Sequence, residues 1–195
     1  MIFVLLARWL EPGEFGLLVL AGSVVQFVAL FVNCGFSSAI VQREEVEQAH
    51  LDTAFWTNIA ISIVLISVLV PSASLIASFF KQPELIPIIQ VLSVVLLFNA
   101  LSSVQTAVLQ RELAFRKLAI RSLVVDPVAG VIALVLALNG WGVWSLVARD
   151  LVSSFGKVLL LWRISYWRPS LNVSLQHFKD IFYFGISMLG ANIMN

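Results

Sequence analysis

The sequence predicts an all-α, polytopic bundle of membrane-crossing helices. Three observations carry the prediction. First, 60% of the residues are hydrophobic and only 12% are charged, against roughly 25% charged in soluble domains. Second, the apolar residues fall in long runs. Residues 15–32 contain no charge at all, and a membrane helix needs about 20 mostly apolar residues. Third, most of the charges gather in short segments between those runs. A net charge of +1 spread over such segments gives no basic face for nucleic acid. The single cysteine, Cys34, excludes a disulfide framework and a cysteine-based metal site.

Six apolar segments follow in order. Residues 1–10 are too short to cross alone and read as the second half of a helix. The Glu11-Pro12-Gly13-Glu14 turn ends them. Residues 15–41 form the next helix, followed by a polar loop at 42–52. A third helix covers 53–80, with Pro71 expected to kink it, which membrane helices tolerate. A turn at 81–84 leads to a fourth helix at 85–110, with Pro87 in its first turn, where proline fits. The fifth helix spans about 118–138 and contains Asp126-Pro127. Asn139-Gly140-Trp141-Gly142 turns the chain into the sixth, 143–162. Residues 163–180 are a polar connection, and a seventh helix starts near 181 and stops uncapped at 195. The first six segments are expected to form one lobe, residues 1–180, of a longer chain.

The densest basic stretch is 109–121, with Arg111, Arg116, Lys117 and Arg121 between two apolar segments. It is expected to be a surface loop with a short interfacial turn of helix. Short Lys/Arg-rich loops stay in the cytoplasm. Placing this one inside puts Arg43, Arg111, Arg116, Lys117, Arg121, Arg163, Arg168 and Lys179 on the same side and leaves only Lys81 outside. The N-terminal side is then cytoplasmic too. Trp141, Trp144, Trp162, Tyr166 and Trp167 fall at helix ends, as in an aromatic belt; burial between helices is the alternative for each. A faint repeat links SAIVQRE at 38–44 with TAVLQRE at 106–112.

Enzyme signatures are absent: there is no phosphate-binding glycine loop, no paired-histidine motif and no Ser/His/Asp set. His50 and His177 lie in polar segments and read as surface histidines. No cofactor or metal is implied. The sharper signal is ionisable residues inside apolar runs: Arg8, Asp126, Arg149, Asp150 and Lys157. An isolated charge at a helix centre costs about 2.5–3.5 kcal/mol on insertion scales, so such groups face a bundle interior or a wet cavity. Lys157 is eight residues after Arg149 and shares its helix face. These two and Arg8 are candidate ligands for an anionic substrate. Asp126 and Asp150 are candidates for counter-ion or proton coupling. The bland alternatives are snorkelling of Arg8 and Lys157 to the interfaces and a bundle-holding pair between Asp126 and a cation of the sixth helix. The embedded amides Gln26, Asn33, Asn58, Asn99 and Gln105 read as helix-joining groups.

Several motifs together resemble one family. These are LAR at 6–8 with PGEFG at 12–16, GFSSAIVQR at 35–43, FW at 55–56, QR at 110–111 with FRKL at 115–118, GWGVWSLV at 140–147 and WRP at 167–169. In that order and spacing the chain resembles Wzx-type oligosaccharide flippases, the polysaccharide-transporter family of the MOP exporter superfamily. The resemblance implies two six-helix lobes around a central cavity that opens alternately to each side. The substrate implied is a polyprenyl-diphosphate-linked oligosaccharide crossing the bacterial inner membrane, with polysaccharide polymerase machinery as a possible partner. Cationic cavities are typical of such flippases, which suits Arg8, Arg149 and Lys157. Asn33 departs from relatives that often carry an acid there. Three other readings are a membrane-embedded glycan polymerase or ligase, a cation-coupled multidrug exporter of the same superfamily, and a non-catalytic membrane scaffold. The first would need a catalytic set in a large outside loop, and every outside turn here is short.

Overall fold

The structure, a computed structural model, describes residues 12–33, 40 and 47–170. Six helices lie among them: α1 (Pro12–Asn33), α2 (Gln48–Phe80), α3 (Leu85–Leu92), α4 (Val94–Arg111), α5 (Phe115–Leu138) and α6 (Val143–Ile164). Arg8, Lys179, His177, residues 1–10 and the seventh helix expected near 181 lie outside the described residues. α3 and α4 are parted only at Ser93, which keeps right-handed helical dihedrals and bonds its hydroxyl to the Gln90 carbonyl (2.6 Å). Together they make one rod. Four stretches are long and apolar enough to cross a membrane: Gly13–Val32, Gln48–Phe80, Leu85–Arg111 and Phe115–Leu138. The chain is a multi-pass membrane protein.

α6 has 22 residues, about 33 Å of helix. Arg149, Asp150 and Lys157 make it more polar than the other rods. It nonetheless runs back along α5 after the 139–142 turn and also packs on α4. Its charges line a cleft between the helices. The lipid-facing side is apolar: Leu75, Phe79 and Leu123 are all more than 70% exposed. Hydrocarbon, not water, is the solvent such a surface fits.

Two apolar clusters hold the bundle, one toward each end. At the end with the 81–84 and 139–142 turns, Leu17, Leu69, Leu85, Ile89, Leu96 and Leu146 join α1, α2, α3, α4 and α6. At the other end Phe55, Val104 and Trp167 form a smaller cluster with Trp56 and Trp162. Buried polar side chains lie on α2 and α4, notably Asn58, whose Nδ2 donates to Ser103 Oγ (2.8 Å).

Two segments differ from the sequence expectation. The basic stretch is not a loop: only 112–114 break the helix, with Leu113 at φ 55°, and Arg116, Lys117 and Arg121 ride on the first turns of α5. Lysine, arginine, leucine and alanine are good helix formers, and residues 115–121 contain no proline or glycine. α2 begins at Gln48, inside the expected loop, because His50 caps it: its Nδ1 accepts the Glu47 backbone N–H (3.3 Å). His50 is therefore a buried capping residue, not a surface histidine. α2 continues as one helix through Pro71, as expected from the sequence.

Candidate functional site

Asp126, Arg149, Asp150 and Lys157 line one cleft of ≈ 400 Å³ between α1, α3, α4, α5 and α6. The spacing on α6 explains the convergence. Residues 149, 153 and 157 follow one another at i+4, as do 150 and 154, so one broad face of α6 carries all five. α5 contributes Asp126, whose Oδ1 accepts from Lys157 Nζ (2.8 Å) and from Ser153 Oγ (2.8 Å). Arg149 Nη1 lies 3.6 Å from Asp150 Oδ1. The opposite wall is Gly22, Gln26 and Ala29 of α1 with Leu92, Val95 and Asn99.

Gly156 sets the reach of the Lys157 contact. A Cβ at this position would stand 2.8 Å from Val125 Cγ1, so α6 approaches α5 as closely as it does only because the residue is glycine. Val125 and Asp126, and Gly156 and Lys157, are neighbours in sequence, so the close helix contact and the ion pair form together. The other end of the hairpin is fixed by Gly142, the N-cap of α6, at φ 51° and ψ −134°. A Cβ there would collide with the Glu14 carboxylate of α1.

Among the described residues two cations and two carboxylates line the cleft; Arg8, the third cation expected from the sequence, lies outside them. The charges are not sealed, since the Asp126 and Lys157 side chains keep 44% and 31% of their exposure. Gln26 and Asn99, read from sequence as helix-joining amides, line the cleft instead. Ser153 carried no signal in the sequence. Among the described residues no group of three or more His, Cys, Asp or Glu could hold a metal ion.

A second polar feature sits at the basic end. Asp52 is fully buried, and its Oδ1 accepts from Ser170 N (3.0 Å) and Gln48 Nε2 (3.2 Å), while Ser170 Oγ donates to Oδ2. Trp56 Nε1 donates to the Ser170 carbonyl (2.9 Å). Trp162 and Trp167 stack edge-on to Phe55, so these two are packing residues, whereas Trp141 and Tyr166 are exposed.

A family model described as polysaccharide biosynthesis protein matches residues 5–195. The succinoglycan biosynthesis transport protein ExoT of Rhizobium meliloti (strain 1021) is 35% identical over 98% of this chain and 39% of its own length. The lipopolysaccharide biosynthesis protein WzxC of Escherichia coli (strain K12) is 27% identical over 97% of this chain and 39% of its own. The teichuronic acid biosynthesis protein TuaB of Bacillus subtilis (strain 168) is 26% identical over 87% and 35%. The chain thus spans about two fifths of the length of these relatives. No solved structure matches it significantly. A membrane bundle with a charged cleft, matched along nearly its whole length by proteins of polysaccharide assembly, belongs to the polysaccharide biosynthesis protein family.

Proposed function

We propose that the chain forms one lobe of a flippase that carries a polyprenyl-diphosphate-linked oligosaccharide across the bacterial inner membrane by alternating access. The observation that carries this reading is the cleft itself: four ionisable side chains, partly exposed, inside a bundle of membrane-crossing helices and beside amides that have no hydrogen-bond partner among the described residues. Such charges are costly in a bundle that needs them only for packing. A glycan headgroup cannot cross hydrocarbon bare, because its hydroxyls would lose their hydrogen bonds. A polar cleft replaces those bonds while the lipid tail stays in the bilayer.

In this reading Lys157 and Arg149, with Arg8, bind the diphosphate through charge-assisted hydrogen bonds. Lys157 exchanges Asp126 for a phosphate oxygen, and Asp126 keeps its Ser153 bond. Asp126 and Asp150 are the counter-ions that hold the cations ready when no substrate is bound. The basic end faces the cytoplasm, following the Lys/Arg asymmetry.

The test is made in the host. The gene is deleted, lipid-linked oligosaccharides are extracted, and their leaflet is determined. Completed units on the cytoplasmic face with loss of surface polysaccharide are expected. Units that reach the outer face yet remain unpolymerised would refute the reading and favour an enzyme.

A further inference from the structure

Beside the charged cleft, and sharing Gln26, Ala29 and Asn99 with it, lies a second groove of ≈ 370 Å³ that contains no charge. Its polar wall is one face of α4: Asn99, Ser102, Ser103, Thr106 and Gln110, spaced at helical intervals, with Gln26 across from them on α1. α4 belongs to a membrane-spanning stretch, where such a neutral polar row has no partner in lipid.

The row divides by hydrogen-bonding state. The Ser102 and Thr106 hydroxyls donate to the Asn99 and Ser102 carbonyls, so only their oxygen lone pairs remain on offer. Thr106 Oγ1 is also approached by Arg121 Nη1 (3.4 Å). Ser103 accepts from Asn58 and donates to the Ala100 carbonyl, which leaves it one oxygen lone pair. The amides of Gln26, Asn99 and Gln110 have no hydrogen-bond partner among the described residues. Each amide offers both donors and acceptors. The groove is therefore rich in mixed donor–acceptor groups, supplemented by acceptors, and free of formal charge. That is the complement of a sugar ring, whose hydroxyls each donate and accept and carry no charge. It is a poor complement to a phosphate, which needs donors alone.

We propose that this face of α4, with Gln26, is a sugar-binding subsite that holds the glycan of the substrate while the adjoining charged cleft holds its diphosphate. The inference rests on the flippase reading and adds to it a division of labour: charge for the phosphates, neutral amides and hydroxyls for the sugar next to them. The two grooves adjoin, as a sugar and its diphosphate do.

The test uses the full-length protein in lipid nanodiscs and two probes: lipid-linked oligosaccharide extracted from the producing cells, and bare undecaprenyl diphosphate. The wild-type protein is expected to prefer the glycan-bearing lipid. Asn99→Leu should reduce that preference about 3- to 10-fold, and the Ser102→Ala/Gln110→Leu double variant should do the same, since each removes hydrogen bonds available only to the sugar. Lys157→Gln should weaken both probes alike. Loss of preference in both α4 variants supports the subsite. If the α4 variants weaken neither probe, or weaken both equally, the subsite is refuted, while the Lys157→Gln result still reports on the diphosphate site. If the wild-type protein binds neither probe, the flippase reading fails and the subsite with it.

Discussion

Asp126 is shared by two donors of α6, and that sharing decides what its removal would do. Lys157 lies four residues beyond Ser153, so both reach one carboxylate oxygen from the same face. With Lys157 31% and Asp126 44% exposed, the pair is half wetted. It is worth about 1 kcal/mol, well below a sealed pair. Asp126→Asn or Lys157→Gln should each lower stability by about that amount, read from thermal melting in detergent. The double variant should recover most of it, because no unpaired charge remains. Transport should stay lost in the double variant if Lys157 also binds substrate. Recovery of both stability and transport would reduce the pair to a bundle fastener. At this scale the sequence was informative about membership and offered the pairing of Asp126 with a cation of the sixth helix as one alternative, which the Lys157 contact bears out. Charges inside apolar runs stand out by composition, and the eight-residue interval between Arg149 and Lys157 places them on one face. Which neighbouring helix that face meets is a tertiary fact, so the Asp126 contact was one alternative among several. Ser153 is a residue type common in any membrane helix and gave no signal.

The α5–α6 hairpin is the element that presents the charged face, and at Gly156 its two helices leave no room for a Cβ. A side chain there meets the β-branched Val125, which has little freedom to move aside. Gly156→Leu should push the helices apart, costing about 1–3 kcal/mol through overpacking, and should lengthen the Lys157–Asp126 contact. The measurement is the melting temperature together with crosslinking between cysteines placed on α5 and α6; an unchanged crosslinking yield would show that the hairpin absorbs the side chain elsewhere. Helix existence was readable from apolar runs, and the 139–142 turn from its Asn-Gly-Trp-Gly sequence. Helix ends were not, because caps decided them. His50 pulled the start of α2 back to Gln48, and α5 began at Phe115 because no proline or glycine lies between 115 and 121. Lys and Arg between apolar runs read as a surface loop with one short turn of helix, whereas here they extend α5 beyond its apolar run.

Across the whole molecule the two ends are built differently. One closes through aliphatic packing of α1, α3 and α6, and the other through an aromatic cluster and a polar clasp. α2 has 33 residues, about 50 Å of helix, and so exceeds a hydrocarbon layer of about 30 Å. Its first turn can therefore carry Gln48 and Asp52 to meet residues 165–170 as they leave α6. Arg168 shapes that exit by donating to the carbonyls of Ser165 (2.7 Å) and Trp167 (2.9 Å). Asp52 then fixes the segment at Ser170, 118 residues away in sequence. No local pattern could reveal a contact of that range, and Asp52 read simply as one more loop charge. Because the carboxylate is fully buried, Asp52→Ala strips the Ser170 amide and hydroxyl of their acceptor, a loss of about 1–3 kcal/mol. Amide hydrogen exchange in a peptide covering 165–170 should then speed up by about tenfold or more, since about 1.4 kcal/mol is a factor of ten. Asp52→Asn keeps one carbonyl oxygen for the Ser170 amide and should give a smaller rise. Exchange unchanged in Asp52→Ala would assign the fastening to the Trp167–Phe55 contact, and Trp167→Ala would then be the variant that opens the end.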